Sequence, residues 1–411
     1  MSLRLKFEYY PKIDGALLKD ANKFIQQNKE KWDPPFFTDT KSHIDIEKIQ
    51  QTTKHVINKD LRNVIVLGTG GSIQTLLAIK NLARKKIYPI TSSRAVELNK
   101  CLNETNPEDS IVIPISRGGE TLDVNSTIGT FLKEGYNFIG LSSMGTMNEI
   151  LKKINCPILD VPDLSGRYAG SISNVGIVPA YLSGINIEDF IRGLEEGYNL
   201  YMNSENNIAI EFSCYLFNLY KKGYKVVFSM PYSMNLEGSV GLFVQCISES
   251  TGKDGKGLMG TFQSAPICQH SVLEYLLGGT KGATIPILWT INNENPELTL
   301  ESSINYINGQ NAQRIVNYQA DATFQALIEQ SVPSAKISID TPKEIVIGHL
   351  ISFILSTIYY LCIFLDVNWA NNPKVVIGKK ICNKALKDKV SSEEREKIRE
   401  KIADDIFRNF F

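Results

Sequence analysis

The sequence predicts an α/β protein with two doubly wound, mostly parallel sheets and helical extensions at its N- and C-termini. The chain has 411 residues, which is more than one ordinary core accommodates. Short β-branched runs alternate with helix-like stretches, and this alternation restarts after a helix-rich region near the middle of the chain. Such alternation is typical of parallel sheets that are covered by helices on both faces.

The strand-like runs fall into two groups along the chain. The first group is VIVL (64–67), IVIPI (111–115), FIGL (138–141) and PILDV (157–161). After a helical region from about 174 to 222, the second group is KVVFSM (225–230), ATIPILWTI (283–291) and AKISID (335–340). No strand-like run stands out before Val64. We therefore predict a helical N-terminal extension at 1–60, a first α/β domain at 61–200, a second at 201–371 and C-terminal helices at 372–411, where SSEER (391–395) is typical of a helix start.

Composition excludes several classes of partner. Lys plus Arg and Asp plus Glu both number 44, so the zero formal charge argues against a general binder of nucleic acid or acidic membranes. Seven widely spaced cysteines without a CxxC motif predict reduced thiols and argue against a disulfide frame or structural zinc. The four histidines form no HxxxH pair, so we predict no metal site.

One segment, residues 345–365, is long and apolar enough to span a bilayer. It contains His349, Gly348 and two serines and stands alone, so a buried helix is favoured over a membrane-associated protein. The N-terminal sequence MSLRLKFEYYPKIDG lacks the apolar core of a signal peptide. We therefore predict a cytoplasmic protein without membrane contact.

Two glycine-rich, hydroxyl-bearing turns directly follow predicted strands, at residues 68–72 (GTGGS) and 116–121 (SRGGET). Open α/β sheets bind ligands at the carboxyl ends of their strands, and the N–H groups of the next helix attract anions. A phosphate is the expected ligand, although either turn alone could be only a tight connection. Neither turn is GxGxxG or GxxxxGK[ST], which disfavours a dinucleotide or a nucleoside triphosphate.

Further candidate residues lie outside these turns. Arg167 stands in SGRYAGSISNVG (165–176), a loop of small residues that could fix a guanidinium beside a ligand, unless it is an ordinary surface arginine. Gly238, Gly241, Gln245 and Glu249 recur on one face of a predicted helix. Glu249 falls near the helix end, where a carboxylate is electrostatically unfavourable, and this mildly suggests a function.

Two basic residues are ambiguous when taken singly. His270 in CQHSVLEYLLGG begins an apolar helix, where a histidine is often structural. Lys379 in NNPKVVIGKKICNKAL reads as a solvated helix lysine, just as Glu249 alone reads as an exposed glutamate.

Taken in order along the chain, these segments resemble the phosphoglucose isomerase family. The matching segments are GTGGS (68–72), ISRGGET (115–121), GRYAGSISNVG (166–176), Gln245 through ESTGK (249–253), QHS (269–271) and NPKVVIGKK (372–380). The corresponding family patterns are near GIGGS, SKTFTT or SKSGTT, GGRYS, QxxxESNGK, QHS or LHS, and Q[WP]GVELGK. The resemblance implies two sugar-isomerase (SIS) domains and a buried helix at 345–365.

The resemblance also implies an activity and roles for the residues. It implies reversible conversion of glucose-6-phosphate and fructose-6-phosphate through a cis-enediol, without metal or nicotinamide. It implies a homodimer in which His270 enters the neighbouring subunit's site. The implied substrate-binding residues are Gly71, Ser72, Ser116, Arg117, Thr121 and Gln245. The implied catalytic residues are Glu249 for proton transfer, Arg167 for the enediol, and His270 and Lys379 for ring opening.

Four positions depart from the family pattern. Gly118 and Glu120 stand where Ser or Thr is usual, so that SRGGET is closer to the SxSGET turn of other SIS domains. A carboxylate there would repel a phosphate unless it turns away. Asn372 replaces the usual glutamine, and Thr251 replaces asparagine.

These departures leave two alternative functions open. The first is an isomerase of other or dual sugar specificity that also accepts mannose-6-phosphate. The second is a catalytically silent SIS protein that binds a sugar phosphate, which would need neither Glu249 nor Lys379. Retention of Glu249, Arg167, His270 and Lys379 argues against the silent protein.

Overall fold

The structure, a computed structural model, describes residues 4–56, 60–203 and 207–389 together with residue 397. Within these residues the strands are β1 Leu5–Tyr10, β2 Asn63–Leu67, β3 Lys86–Ile90, β4 Ser110–Pro114, β5 Asn137–Phe138, β6 Gly140–Leu141, β7 Ile158–Leu159, β8 Val226–Pro231, β9 Met259–Phe262, β10 Thr284–Ile291 and β11 Ser334–Ile339. The α-helices are α1 Gly15–Asn28, α2 Ile46–Thr53, α3 Gln74–Ile79, α4 Ala95–Glu104, α5 Leu122–Lys133, α6 Gly145–Lys153, α7 Gly166–Ala169, α8 Asn174–Leu182, α9 Ile187–Asn203, α10 Ile208–Lys221, α11 Met234–Thr251, α12 Leu273–Gly278, α13 Ala312–Glu329, α14 Glu344–Leu365 and α15 Val375–Lys389.

The chain divides into two compact units, each built from three separate stretches of sequence. Unit I comprises Met1–Thr40, Gln74–Leu82 and Ile185–Ala370. Unit II comprises Lys41–Ile73, Ala83–Gly184 and Asn371–Phe411. The predicted division into four consecutive parts stays a prediction.

Unit II contains a parallel sheet in the order β3-β2-β4-β5. Val64 of the central strand β2 lies opposite Ile87 on one side and Ile111 on the other. A parallel bridge between Ile115 and Leu141 continues the pairing to β6, which pairs in parallel with β7. Every residue of β2 and β4 is buried, as the apolar runs predict for a sheet covered on both faces.

Unit I contains a five-stranded sheet in the order β1-β11-β10-β8-β9. Its strands are parallel except for β1, which pairs antiparallel with β11 so that Leu5 lies opposite Ile339. The two mostly parallel sheets confirm the predicted α/β fold class.

The prediction of no strand before Val64 was wrong, and β3 and β9 were also missed. All three strands lie at the edges of their sheets, where the apolar pattern is weaker than in a central strand. In β1 only Leu5 and Tyr9 are buried, while Lys6 is exposed. Strand β3 contains Pro89, which an edge tolerates because one side of the strand needs no ladder hydrogen bonds.

Helix α14 is the apolar segment that could have been a membrane span, and it is buried inside unit I. It packs against α9 through glycines that let the two backbones touch. A Cβ on Gly193 would lie 2.1 Å from the Ile345 carbonyl oxygen, and one on Gly348 would lie 2.3 Å from the Phe190 carbonyl oxygen. The prediction of a buried helix is therefore confirmed. In the C-terminal region α15 is helical as predicted, while SSEER (391–395) lies outside the described residues.

His349 is a buried histidine of α14 that is held in its neutral form. The Tyr201 hydroxyl lies 2.7 Å from its Nε2, and its Nδ1 has no hydrogen-bond partner within the described part of the chain. Burial, reinforced by the charge of Arg4, lowers the pKa of His349 from 6.5 to about 4.

This lowered pKa predicts that unit I loses stability in mild acid. Between pH 6.5 and 4 the unfolded chain binds a proton at this position that the folded chain does not, so acid favours unfolding. From pH 7 to pH 5 the His349 contribution falls by about 2 kcal/mol. Denaturant titrations at both pH values should show this difference, and His349→Gln should lose less stability over the same interval. An equal pH dependence of the two proteins would contradict the assignment.

Candidate active site

The first glycine turn of unit II follows β2 as a 3₁₀ turn at Gly70–Ser72. Gly70 has a positive φ of 57°, which glycine adopts without strain. Gly71 lies directly against the first turn of α7, and a Cβ there would be 2.3 Å from the backbone nitrogen of Arg167. The turn that carries Ser72 thus fixes the backbone that carries Arg167.

Arg167 is buried, with only 3% of its surface exposed, so it is not a surface arginine. Its Nη2 donates a hydrogen bond of 2.9 Å to the carbonyl oxygen of Asn371, and its guanidinium lies 5.5 Å from the centre of the Tyr168 ring. A buried arginine keeps its charge and is a fixed partner for an anion. Sequence reasoning missed Asn371, because a backbone carbonyl leaves no signature in the residue type.

The second turn of unit II connects β4 to α5. The Ser116 hydroxyl is buried and lies 3.0 Å from the hydroxyl of Thr121, the N-terminal capping residue of α5. The first N–H groups of a helix have no partner inside the helix, so this end attracts an anion. The two hydroxyls and the start of α5, here called the cradle, carry the kind of donors that an anion requires.

Arg117, in the same turn, is engaged with the loop that precedes α7. Its guanidinium donates a hydrogen bond to the Leu164 carbonyl oxygen and lies 3.5 Å from the Asp163 carboxylate. Both side chains of this ion pair are substantially exposed. Exposed ion pairs are weak, so a phosphate could compete with Asp163 for this guanidinium.

The Glu120 side chain is directed to α6. The sequence predicts that it turns away if the turn binds a phosphate. Its Oε1 accepts hydrogen bonds from the backbone N–H and from the hydroxyl of Thr146, both 2.8 Å long, at the start of α6. These two bonds, with a further contribution from the charge of Lys387, lower the pKa of Glu120. The carboxylate is therefore stabilised by the N-terminus of α6.

Lys379 lies on α15, a helix of unit II on which no described side chain is buried. The ammonium group is exposed. Its place on a helix was predicted, whereas its role stays a prediction.

In unit I, α11 carries the candidate base. The part of the predicted face that carries small residues packs on α3. There a Cβ on Gly238 would lie 1.9 Å from the Leu77 carbonyl oxygen. Further along, the Gln245 Nε2 donates a hydrogen bond of 3.3 Å to the Glu249 Oε1, and both residues are half-buried. The same face thus anchors the helix at one end and presents an oriented carboxylate at the other.

The residues after Glu249 close the end of α11. The Thr251 hydroxyl accepts a hydrogen bond of 2.9 Å from the Leu258 N–H. The Lys253 ammonium donates to the carbonyl oxygens of Ser250 and Asn368. Thr251 therefore has a structural role here, which accounts for a hydroxyl where the family pattern has an amide.

His270 is exposed on unit I, at the end of a 3₁₀ turn, Ile267–His270. The turn is held by Gln269, whose Nε2 donates to the Tyr232 hydroxyl at 2.8 Å and to the Thr323 hydroxyl at 2.5 Å. Exposed apolar side chains lie nearby in sequence, including Ile267, 70% exposed, and Tyr275, 48% exposed. Within the described ranges, no group of three or more His, Cys, Asp or Glu side chains could hold a metal ion.

Comparison with known proteins finds curated relatives that are similar to most of this chain. A glucose-6-phosphate isomerase of Methanocaldococcus jannaschii is 26% identical over 342 residues, which cover 79% of this chain and 84% of the relative. One of Mycoplasmopsis pulmonis is 25% identical over 375 residues, which cover 84% of this chain and 87% of the relative. No family model matches the chain.

Solved structures show the same fold. A glucose-6-phosphate isomerase from Chlamydia trachomatis superposes with a TM-score of 0.77 at 17% identity, over 97% of this chain and 92% of the other. The fold is therefore that of the SIS-type phosphosugar isomerases. The curated relatives add a likeness in sequence to this likeness in fold. The chain is therefore similar, over 79% to 84% of its length, to proteins named glucose-6-phosphate isomerase.

The contact between Gly71 and Arg167 predicts that Gly71→Ala impairs turnover. The new methyl group would push the Arg167 backbone away, so we expect kcat to fall by about tenfold or more. Gly68→Ala is the matched control, because a Cβ there meets only ordinary contacts, the nearest being the Ile115 Cβ at 3.7 Å. Steady-state kinetics of the two variants would decide; equal kcat values would show that the close contact does not position Arg167.

Proposed function

We propose that the protein catalyses the reversible isomerisation of glucose-6-phosphate and fructose-6-phosphate through a cis-enediol intermediate. The observation that carries this proposal is the half-buried Glu249 carboxylate, which Gln245 orients at the end of α11. A protein that only bound a sugar phosphate would need no such base. The names of the curated relatives support the same reaction.

Glu249 has the chemistry for the proton transfer. An aldose–ketose exchange removes a proton next to a carbonyl and returns it one carbon away. In a cis-enediol both carbons present the same face, so one carboxylate can perform both steps. The hydrogen bond from Gln245 would keep one oxygen in place while the other takes the proton.

Arg167 would stabilise the negative charge that develops on the enediol oxygens. Its burial and its bond to the Asn371 carbonyl hold the guanidinium in one orientation. A preorganised positive charge stabilises such an intermediate without reorganisation during the reaction.

The phosphate would bind in unit II. Ser72, Ser116 and Thr121 would donate hydroxyl hydrogen bonds, and the first N–H groups of α5 would complete the cradle. Gly71 would let the ligand approach the first turn, and Arg117 would exchange Asp163 for the phosphate. In this assignment the phosphate dianion faces Arg117 and the N-terminus of α5. A protein of zero formal net charge needs such a local site to bind an anion.

His270 and Lys379 would open the sugar ring, and His270 would act in the site of a neighbouring subunit. The exposed position of His270 supports this, because no described contact holds its ring inside its own chain. Exposed apolar side chains around it, such as Ile267 and Tyr275, are typical of a protein interface. We therefore propose a homodimer. We also propose that the protein is cytoplasmic.

A coupled assay tests the proposed reaction. Purified protein would receive fructose-6-phosphate, glucose-6-phosphate dehydrogenase and NADP in the presence of a chelator, and NADPH would be followed by absorbance. We expect robust formation of NADPH that depends on the protein. No NADPH from folded protein would contradict the proposed reaction.

A second candidate is dual specificity that includes mannose-6-phosphate. Two observations favour it: Gly118 removes a hydroxyl from the phosphate turn, and Asn372 follows the residue whose carbonyl holds Arg167. Proton NMR of the protein with mannose-6-phosphate would show conversion to fructose-6-phosphate if the specificity is dual. An unchanged spectrum would restrict the protein to the glucose substrate.

We predict that replacing the proposed base reduces turnover without reducing the affinity for the substrate. In Glu249→Gln the amide cannot accept the proton, so we expect kcat to fall by about 10²–10⁴-fold. The affinity for fructose-6-phosphate, measured by calorimetry, should change little because the side chain keeps its shape. Glu274→Gln, on the exposed start of α12, is the matched control. Most of the activity surviving in Glu249→Gln would show that another group is the base.

A further inference from the structure

The phosphate turn of unit II is braced against the start of α6 by direct backbone contact. Gly119 has a φ of 71°, and a Cβ there would lie 2.1 Å from the Met144 carbonyl oxygen. Gly145 has a φ of 77°, and a Cβ there would lie 2.4 Å from the Gly118 carbonyl oxygen. Neither position accepts a side chain, so the two loops meet in one arrangement.

The first N–H groups of α6 are directed to this turn. The Met147 N–H donates to the Gly119 carbonyl oxygen at 3.1 Å, and the Thr146 N–H donates to the Glu120 carboxylate at 2.8 Å. The Thr146 hydroxyl donates to the same carboxylate oxygen, also at 2.8 Å. Hydrogen bonds to an ionised acceptor are stronger than neutral ones. The two bonds to the Glu120 carboxylate are therefore the strongest hydrogen bonds described between the turn and α6.

We propose that Glu120 is a positioning residue for the phosphate, acting through its bonds to Thr146 to hold the Ser116 and Thr121 hydroxyls in their binding geometry. Glu120 directly precedes Thr121, whose hydroxyl lies 3.0 Å from that of Ser116. A turn released from α6 would let this pair separate. The inference rests on the proposed phosphate site, and it assigns a function to a residue that departs from the family pattern.

Simple electrostatics predicts the opposite effect for the same residue. A carboxylate beside a phosphate cradle repels the ligand, so its removal should strengthen anion binding. If Glu120 holds the turn, its removal should weaken binding even though a negative charge is lost. The sign of the change in affinity therefore distinguishes the two roles.

Three variants separate the hydrogen bond from the charge. Glu120→Ala removes both, whereas Glu120→Gln keeps an oxygen that can accept from Thr146. Thr146→Val removes the hydroxyl donor and leaves the charge in place. Asp123→Ala is the matched control, because Asp123 is a carboxylate in the first turn of α5 with no bond to α6 among the described contacts.

The test is calorimetric titration of the full chain with inorganic phosphate, together with steady-state kinetics for fructose-6-phosphate. In Glu120→Ala, which loses both bonds from Thr146, we expect phosphate affinity to fall by about fivefold or more. KM should rise more than kcat falls. Glu120→Gln should stay within about twofold of the parent protein, and Asp123→Ala should bind phosphate at least as tightly.

The outcomes separate this inference from the proposed reaction. Phosphate affinity in Glu120→Ala that equals or exceeds that of the parent would overturn the positioning role, as would a parent protein that binds no phosphate. Weakened phosphate binding in a chain without isomerase activity would uphold the positioning role and reject only the reaction. If Glu120→Ala fails to fold, Thr146→Val decides: weaker phosphate binding supports the inference and unchanged binding overturns it.

Discussion

Close contact between backbones, allowed only by glycine, is the constraint on which the geometry of both units depends. In unit II Gly71 meets the backbone of Arg167, and Gly119 meets that of Met144. In unit I Gly238 brings α11 onto the backbone of α3. At each place a single methyl group would overlap main-chain atoms that cannot move independently of the fold. The candidate residues are thus located by main-chain packing, which is less adaptable than contact between flexible side chains.

The two helix N-termini at the phosphate turn have different tasks. At the start of α5, the hydroxyl of the capping residue Thr121 lies 3.0 Å from the Ser116 hydroxyl, where the proposed phosphate would bind. The start of α6 is occupied, because its N–H groups bind the turn itself through Gly119 and Glu120. In the proposed site, the N-terminus of α5 would therefore bind the substrate phosphate, while the N-terminus of α6 holds the turn. This division would let the Glu120 carboxylate stand in the proposed phosphate turn without repelling the phosphate.

The central strands and the strand-end turns were predictable from sequence, and the edges were not. Strands such as β2 and β4 are buried on both faces and read as continuous apolar runs, whereas β1, β3 and β9 are half-exposed and mix charges, proline or glycine into the run. The positions of the turns at Ser72 and Ser116 were predictable because glycines and hydroxyl residues directly follow the apolar runs, whereas their binding role stays a prediction. The bond from Arg167 to the Asn371 carbonyl was not, since every residue type has a carbonyl. The exposure of His270 also depends on tertiary packing that no local pattern encodes, whereas the exposure of Lys379 agrees with its reading as a solvated helix lysine.

The interleaving of the two units has a consequence for synthesis. Strand β1 is made early, but its partner β11 is made only after the whole of unit II's sheet and most of unit I. The sheet of unit II can therefore assemble on the ribosome while β1 waits unpaired. Pairing between such distant segments slows folding, because the closing loop must lose entropy before contacts reward it. Until β11 is made, β1 has no partner on its own chain, and an unpaired strand can pair with other chains.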